Sequence, residues 1–141
     1  MNDSIKSEIR SLRENCKFAY IASVNEGGYP QIKCMENLEH DSMKVQWFST
    51  NTSSKRVQQF FKNPKASVYY CDDVQYKGAL FTGTMEVCTD HETKAFLWKD
   101  GFERYYPKGV DDEDYCVLKF TADTVNYYHG LSNITLSIKE F

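Results

Sequence analysis

The stretch from Val45 to Pro64 reads VQWFST, NTSS and KRVQQFFKNP, a strand, a loop and a helix start in that order. Val45, Trp47 and Ser49 alternate with Gln46, Phe48 and Thr50, which is the period of a short strand, and the register breaks at Asn51. Beyond the break Ser53 or Ser54 supplies an N-cap, and Val57, Phe60 and Phe61 recur at helical spacing until Asn63-Pro64 stops the helix. The first turn of such a helix leaves backbone N–H groups without intrahelical partners and presents the positive end of the helix dipole. Here it also carries Ser53, Ser54, Lys55 and Arg56, with Thr50 and Thr52 beside them, a set that suits a dianionic phosphate monoester. An ordinary capped helix with two solvated cations has the same signature, so the window alone leaves both readings open.

Outward from this stretch the chain keeps changing period. Asp3 or Ser4 caps an opening amphipathic helix in which Ile5, Ile9 and Leu12 share one stripe, giving a helix over residues 1–15. Phe18 to Val24 is an apolar strand, Asn25-Glu26-Gly27-Gly28 has turn chemistry, and Gln31 to Leu38 is the hairpin partner, with polar groups on both faces. His40-Asp41-Ser42 then turns the chain into the central strand. After Pro64, Ala66 to Cys71 is so apolar that it reads as a strand buried on both sides. Gly78 to Cys88 alternates, and Gly83 in its middle predicts a bulge or bend. Asp90 caps a helix carrying Ala95, Phe96 and Trp98. Tyr115 to Thr121 and Val125 to His129 read as two strands divided by Ala122-Asp123, and residues 130–141 form a tail or an edge strand. The result is six or seven antiparallel strands with three helices, a mainly β split barrel with peripheral helices, in one domain over residues 1–141.

Composition narrows the function. Ten Tyr and nine Phe in 141 residues, an aromatic share of 15%, fit many half-buried strand positions. A net charge of −3 with no basic run argues against nucleic acid as a partner, so any bound phosphate depends on local cations. No apolar run is long enough to span a bilayer, and the charged N-terminus does not read as a signal peptide, so a cytoplasmic protein is expected. Cys16, Cys34, Cys71, Cys88 and Cys116 are scattered without a C-x-x-C pair and read as reduced, buried small hydrophobes. His40, His91 and His129 lack metal-ligand spacing, and no metal site is expected. Asp111-Asp112-Glu113-Asp114 lacks the spacing of a calcium loop and reads as a solvated turn.

The ordered set FAYIASVNEGGYPQIKCM, KVQWFSTNTSSKRVQQFFKNP, ASVYY, GALFTGTMEV and LWKDGFERYYPKG resembles the pyridoxamine 5′-phosphate oxidase-like FMN-binding split barrels, in particular the short branch related to general stress protein 26. The resemblance runs from about Ser4 to Tyr128. It implies that Ser54, Lys55 and Arg56, with Ser53, cradle the FMN phosphate. It further implies that Phe48, Ser49 and Thr50 border the flavin and ribityl chain, and that Lys33, Cys34 and Met35 lie beneath the ring. Lys33 stands where the family usually has an arginine and supplies charge without a bidentate fork. The resemblance also implies a homodimer with the flavin between subunits, and Trp98, with Phe102 and Tyr105, is the expected cover from the partner subunit. Gly78 and Leu38 stand where the full-length oxidases have a glutamine and a lysine, and the late R-x-H segment is missing, so vitamin B6 oxidation is not expected. Two functions follow from the resemblance: an FMN-dependent oxidoreductase of undefined substrate, with NAD(P)H or another small electron donor, and a non-enzymatic flavin- or haem-binding stress-response protein. A cofactor-free barrel is the third.

Overall fold

The computed structural model describes residues 2–40 and 42–141. Among them the order is α1 (Asn2–Asn15), β1 (Phe18–Val24), β2 (Pro30–Glu36), β3 (Glu39–His40), β4 (Val45–Asn51), α2 (Lys55–Lys62), β5 (Lys65–Asp72), β6 (Lys77–Cys88), α3 (His91–Leu97), β7 (Tyr115–His129) and β8 (Ser132–Ser137). The turn expected at His40-Asp41-Ser42 includes Asp41, which lies outside the described residues. Strand β2 stops at Glu36, short of the expected Leu38, because Asn37 leaves the ladder. Its backbone N–H donates to the Lys17 carbonyl, and its side-chain amide donates to the carbonyls of Arg13 and Cys16, each at 2.7 Å.

The strands form one antiparallel sheet in the order β2-β1-β5-β6-β7-β4-β3, with β8 also on β7, the strand arrangement of a split barrel. The split originates in β7. One edge of this 15-residue strand pairs with β6, while the other is shared, Tyr115 to Thr121 with β4 and Thr124 to His129 with β8. At the hand-over the Ala122 N–H donates to the Lys44 carbonyl at 2.8 Å. The register against β6 slips there: Thr82 pairs with Thr124 and Gly83 with Ala122, leaving Asp123 extra. The two strands expected on either side of Ala122-Asp123 are therefore one strand with a β-bulge. The bulge explains the broken alternation, since Leu118, Phe120 and Ala122 are buried and, one residue out of phase, so are Val125 and Tyr127. Gly83 sits opposite, where a Cβ would lie 2.0 Å from the Thr121 carbonyl oxygen.

Two apolar clusters result. The barrel interior holds Ile21, Phe48, Val68, Tyr70, Phe81 and Phe120, joined by Ile9 and Leu12 of α1 and by Val57 and Phe60 of α2. Burying a side chain such as Val57 or Phe60 contributes about 1.5–3 kcal/mol, enough to seat α2 against the barrel. A second cluster lies on the outer face of β4 and β7, where Leu97, Tyr106, Tyr115 and Val117 pack with Trp47, Trp98 and Phe102. Strand β5 is not buried on both faces. Ala66, Val68 and Tyr70 point inward and are buried, while Ser67, Tyr69 and Cys71 on the other face are only half-buried. No helix among the described residues is long and apolar enough to cross a membrane.

Candidate functional site

The rim of the barrel at the end of β4 is open on one side. Strand β3 pairs with β4 only at Gln46 and Trp47, so residues 48–51 have no strand neighbour on that edge among the described residues. Alternation along β4 assigns the side chains. Phe48 and Thr50 point into the barrel, with Phe48 only 1% exposed, and Ser49 points to the outer face beside Val117. Phe48 thus offers a ligand its backbone and not its ring. Thr50 ends the inner row, and its Oγ1 accepts a hydrogen bond from Arg56 Nη2 at 3.1 Å.

The loop that follows turns directly into α2. Ser54 is the N-cap with extended backbone, and its Oγ accepts the Val57 N–H at 3.3 Å. That acceptor role leaves the Ser54 O–H proton available. The Ser54 N–H donates to the Asn51 carbonyl and the Ser53 N–H to Asp114 Oδ1, whereas the Lys55 and Arg56 N–H groups have no partner among the described residues. Arg56 is half-buried, and its Nε is fully buried without a partner. Burial lowers the Arg56 pKa from the usual guanidinium value, an effect opposed by the nearby Cys116 and Tyr106. Burial also pushes the Tyr106 hydroxyl up to about 12, with Cys116 and Asp114 adding to it, and raises the Cys116 thiol. Both stay neutral at physiological pH, so neither is a base or a thiolate nucleophile.

The facing wall comes from the β1–β2 hairpin. A cavity of about 470 Å³ between hairpin and helix is lined by Gln31, Ser53, Lys55, Gln58 and Gln59 among others. Its floor is tied by Ser23 Oγ donating to Gln59 Oε1 at 2.5 Å, and its rim by an exposed Lys62–Glu26 ion pair. Gln31 pairs with Ser23, Lys33 with Ile21 and Met35 with Ala19, so all three lie on the β2 face that continues the barrel interior. Met35 is buried there, and Lys33 is exposed toward the end of the sheet. Cys34 lies on the opposite, outer face beside Tyr20, exposed rather than buried as the sequence predicts.

The structure therefore brings Thr50, Ser53, Ser54, Lys55 and Arg56 together, sets Lys33 on the facing strand, and turns Cys34 away. Trp98 is placed outside the barrel at the C-cap of α3. It packs edge-on against Phe102 and Tyr115 of its own chain, at centroid distances of 5.5 and 5.1 Å, with Tyr106 6.4 Å away. Gly78 is buried under a Tyr69–Tyr128 hydroxyl pair at 2.6 Å, and a Cβ would lie 2.3 Å from the Tyr69 oxygen. Leu38 joins the outer aromatic cluster. Gln31 and Asp114 escape the sequence reading: Gln31 looks like an ordinary strand residue, and Asp114 belongs to a run that reads as a solvated turn. Among the described residues no group of His, Cys, Asp and Glu could hold a metal ion.

The fold and the site define an antiparallel split barrel with unbonded backbone N–H groups at a helix start on its open rim. A family model described as pyridoxamine 5′-phosphate oxidase matches residues 5–129, and the chain belongs to that family. It is similar to a solved protein from Clostridium acetobutylicum related to general stress protein 26 of Bacillus subtilis and described as of the pyridoxinephosphate oxidase family. The two are 43% identical, with 99% of each chain covered and a TM-score of 0.90. More distant structures share the fold. One is a pyridoxamine 5′-phosphate oxidase-related, FMN binding protein from Nostoc punctiforme, 13% identical over 94% of this chain and 86% of that one, TM-score 0.70. Another is a heme binding protein from Mycobacterium smegmatis, 15% identical over 92% of this chain and 56% of that one, TM-score 0.72. None of the curated proteins compared matches the chain.

Proposed function

We propose that this protein binds FMN and uses it as an oxidoreductase on a small-molecule substrate other than pyridoxamine 5′-phosphate. The observation that carries the reading is the start of α2. A half-buried guanidinium with an unpartnered Nε stands beside two unbonded backbone N–H groups, the Ser54 hydroxyl and the Lys55 ammonium. Such a set fits the terminal phosphate of FMN, a dianion, better than it fits water, because the buried nitrogen otherwise remains unsatisfied. The FMN-binding relative in the fold supports the choice of cofactor. The isoalloxazine supplies the redox chemistry when bound, and the chain's own residues bind and orient it. Lys55 and Arg56 hold the phosphate, the open edge of β4 at residues 48–51 offers backbone groups to the ribityl and ring, and Lys33 stands across the groove.

The same reading includes a homodimer. The row Cys34, Tyr20, Tyr69, Leu80, Asn126 and Thr135 runs across six strands by register, and no side chain in it is charged. Ile32, Tyr20 and Leu80 on that face are 74%, 39% and 37% exposed. A second copy would cover it, and Trp98 of that copy would shield the flavin ring. A cytoplasmic location agrees with five free cysteines.

The test is titration of the purified protein with FMN and with riboflavin, followed by anaerobic addition of NADH or NADPH. Tight, yellow FMN binding that riboflavin does not reproduce supports the phosphate site, and bleaching by a nicotinamide supports turnover. Equal affinities for FMN and riboflavin would remove the phosphate site. Binding without reduction by any donor would leave a flavin carrier instead of an enzyme.

A further inference from the structure

The acidic run before β7 is hydrogen-bonded to the loop that opens α2. The Thr52 N–H donates to the Asp114 carbonyl at 2.7 Å and the Ser53 N–H to Asp114 Oδ1 at 2.9 Å, a contact across 61 residues of chain. The first of these bonds carries the β4–β7 ladder one residue beyond its last pair, Asn51 with Tyr115, and the second adds a side-chain tie one residue further. Asp114 is itself fixed. Its N–H donates to Asp112 Oδ1 at 3.0 Å, and Asp112 Oδ2 accepts the Lys108 N–H at 3.1 Å. The Asp112 carbonyl accepts from the buried Lys94 of α3 at 3.1 Å. The loop from Asn51 to Ser54 is thus linked through Asp114 and Asp112 to Lys94 of α3.

The geometry points to Asp114 as the positioning residue of the phosphate-binding loop, an inference that rests on the reading of the α2 start as a phosphate site. The carboxylate has two separable effects. As an acceptor it holds the Ser53 N–H and sets the loop so that the next unbonded N–H groups, those of Lys55 and Arg56, face outward together. As an anion at the mouth of a helix it occupies the positive end of the dipole and opposes a second anion arriving there. Asparagine at this position keeps the acceptor and removes the charge, while alanine removes both.

The experiment measures the dissociation constants of FMN and riboflavin by flavin fluorescence quenching for the wild type, Asp114→Ala and Asp114→Asn. Asp114→Ala should bind FMN about ten-fold more weakly than Asp114→Asn, with riboflavin binding unchanged. Asp114→Asn should bind FMN at least as tightly as the wild type, with any gain shrinking as salt is added. A merely structural role would weaken both flavins alike and would not be rescued by the amide. Asp114→Asn no tighter than Asp114→Ala, or weaker than the wild type, overturns the assignment. If Asp114→Ala does not fold, Asp114→Asn decides alone, and affinity below wild type overturns it. A wild type that binds FMN and riboflavin equally fails the phosphate reading itself, and this inference with it, before any variant is made.

Discussion

Replacing Arg56 with alanine should cost far more FMN affinity than replacing Lys55, although the two are neighbours with the same charge. Arg56 is half-buried, one of its nitrogens is bonded to Thr50 Oγ1 at 3.1 Å, and its Nε is buried without a partner. A charge-assisted hydrogen bond from such a group contributes roughly 1.5–3 kcal/mol. With each 1.36 kcal/mol equal to a factor of ten, Arg56→Ala should weaken FMN binding by about 10- to 150-fold. Lys55 is exposed, where water and salt reduce an ion pair to about 1 kcal/mol or less, so Lys55→Ala should cost at most about five-fold. Arg56→Lys should fall between, because an ammonium keeps the charge but not the fork. Fluorescence titration with FMN and with riboflavin gives the two constants for each variant, and melting without ligand checks the fold. The reasoning is refuted if Arg56→Ala weakens FMN and riboflavin by the same factor, or if Lys55→Ala is the costlier change.

Three further outcomes are expected. Gly83→Ala places a Cβ 2.0 Å from the Thr121 backbone oxygen at the β7 bulge, and the forced shift should cost about 2 kcal/mol, a fall in Tm of roughly 4–8 °C by calorimetry; an unchanged Tm would mean that the bulge yields freely. In a thiol titration at pH 8 one cysteine, the exposed Cys34, should react fast, and the others should follow only on denaturation. Burial raises the pKa values of Cys16, Cys71 and Cys116 and pushes Cys88 up to about 11, so their thiolate fractions are small at that pH. Light scattering should show a dimer, and Leu80→Lys in the uncharged row across the sheet should yield a monomer that loses FMN; a monomer retaining FMN would place the whole site within one chain.

The start of α2, where the phosphate is proposed to bind, was legible in the sequence because everything it is built from is local. Strand end, Ser54 cap, Lys55 and Arg56 follow one another within seven residues of Thr50, and each carries a signal of its own, from period-two alternation to a capping hydroxyl. The walls around it come from elsewhere. Gln31 is brought in by a hairpin and Asp114 by the long excursion through β5, β6 and α3, and neither residue type announces such a role. Asp111 to Asp114 reads as a solvated turn because composition does not reveal that two of its carboxylates accept backbone N–H groups.

The misread strands have a common physical origin. A bulge shifts the period by one, so Ala122-Asp123 looks like a break when it is the residue pair that lets β7 serve β4 with its first half and β8 with its second. Apolar residues on both faces of β5 suggest burial on both sides, yet the outer ones, Tyr69 among them, are only half-buried. A sheet face that is apolar in sequence and uncovered in the fold has kept the composition of an interior without being one. The same face carries Cys34, one strand residue away from the groove-side Lys33 and Met35. Whatever covers that face would therefore also brace the strand that forms one wall of the proposed flavin groove, and for that reason loss of the proposed dimer and loss of FMN should occur together.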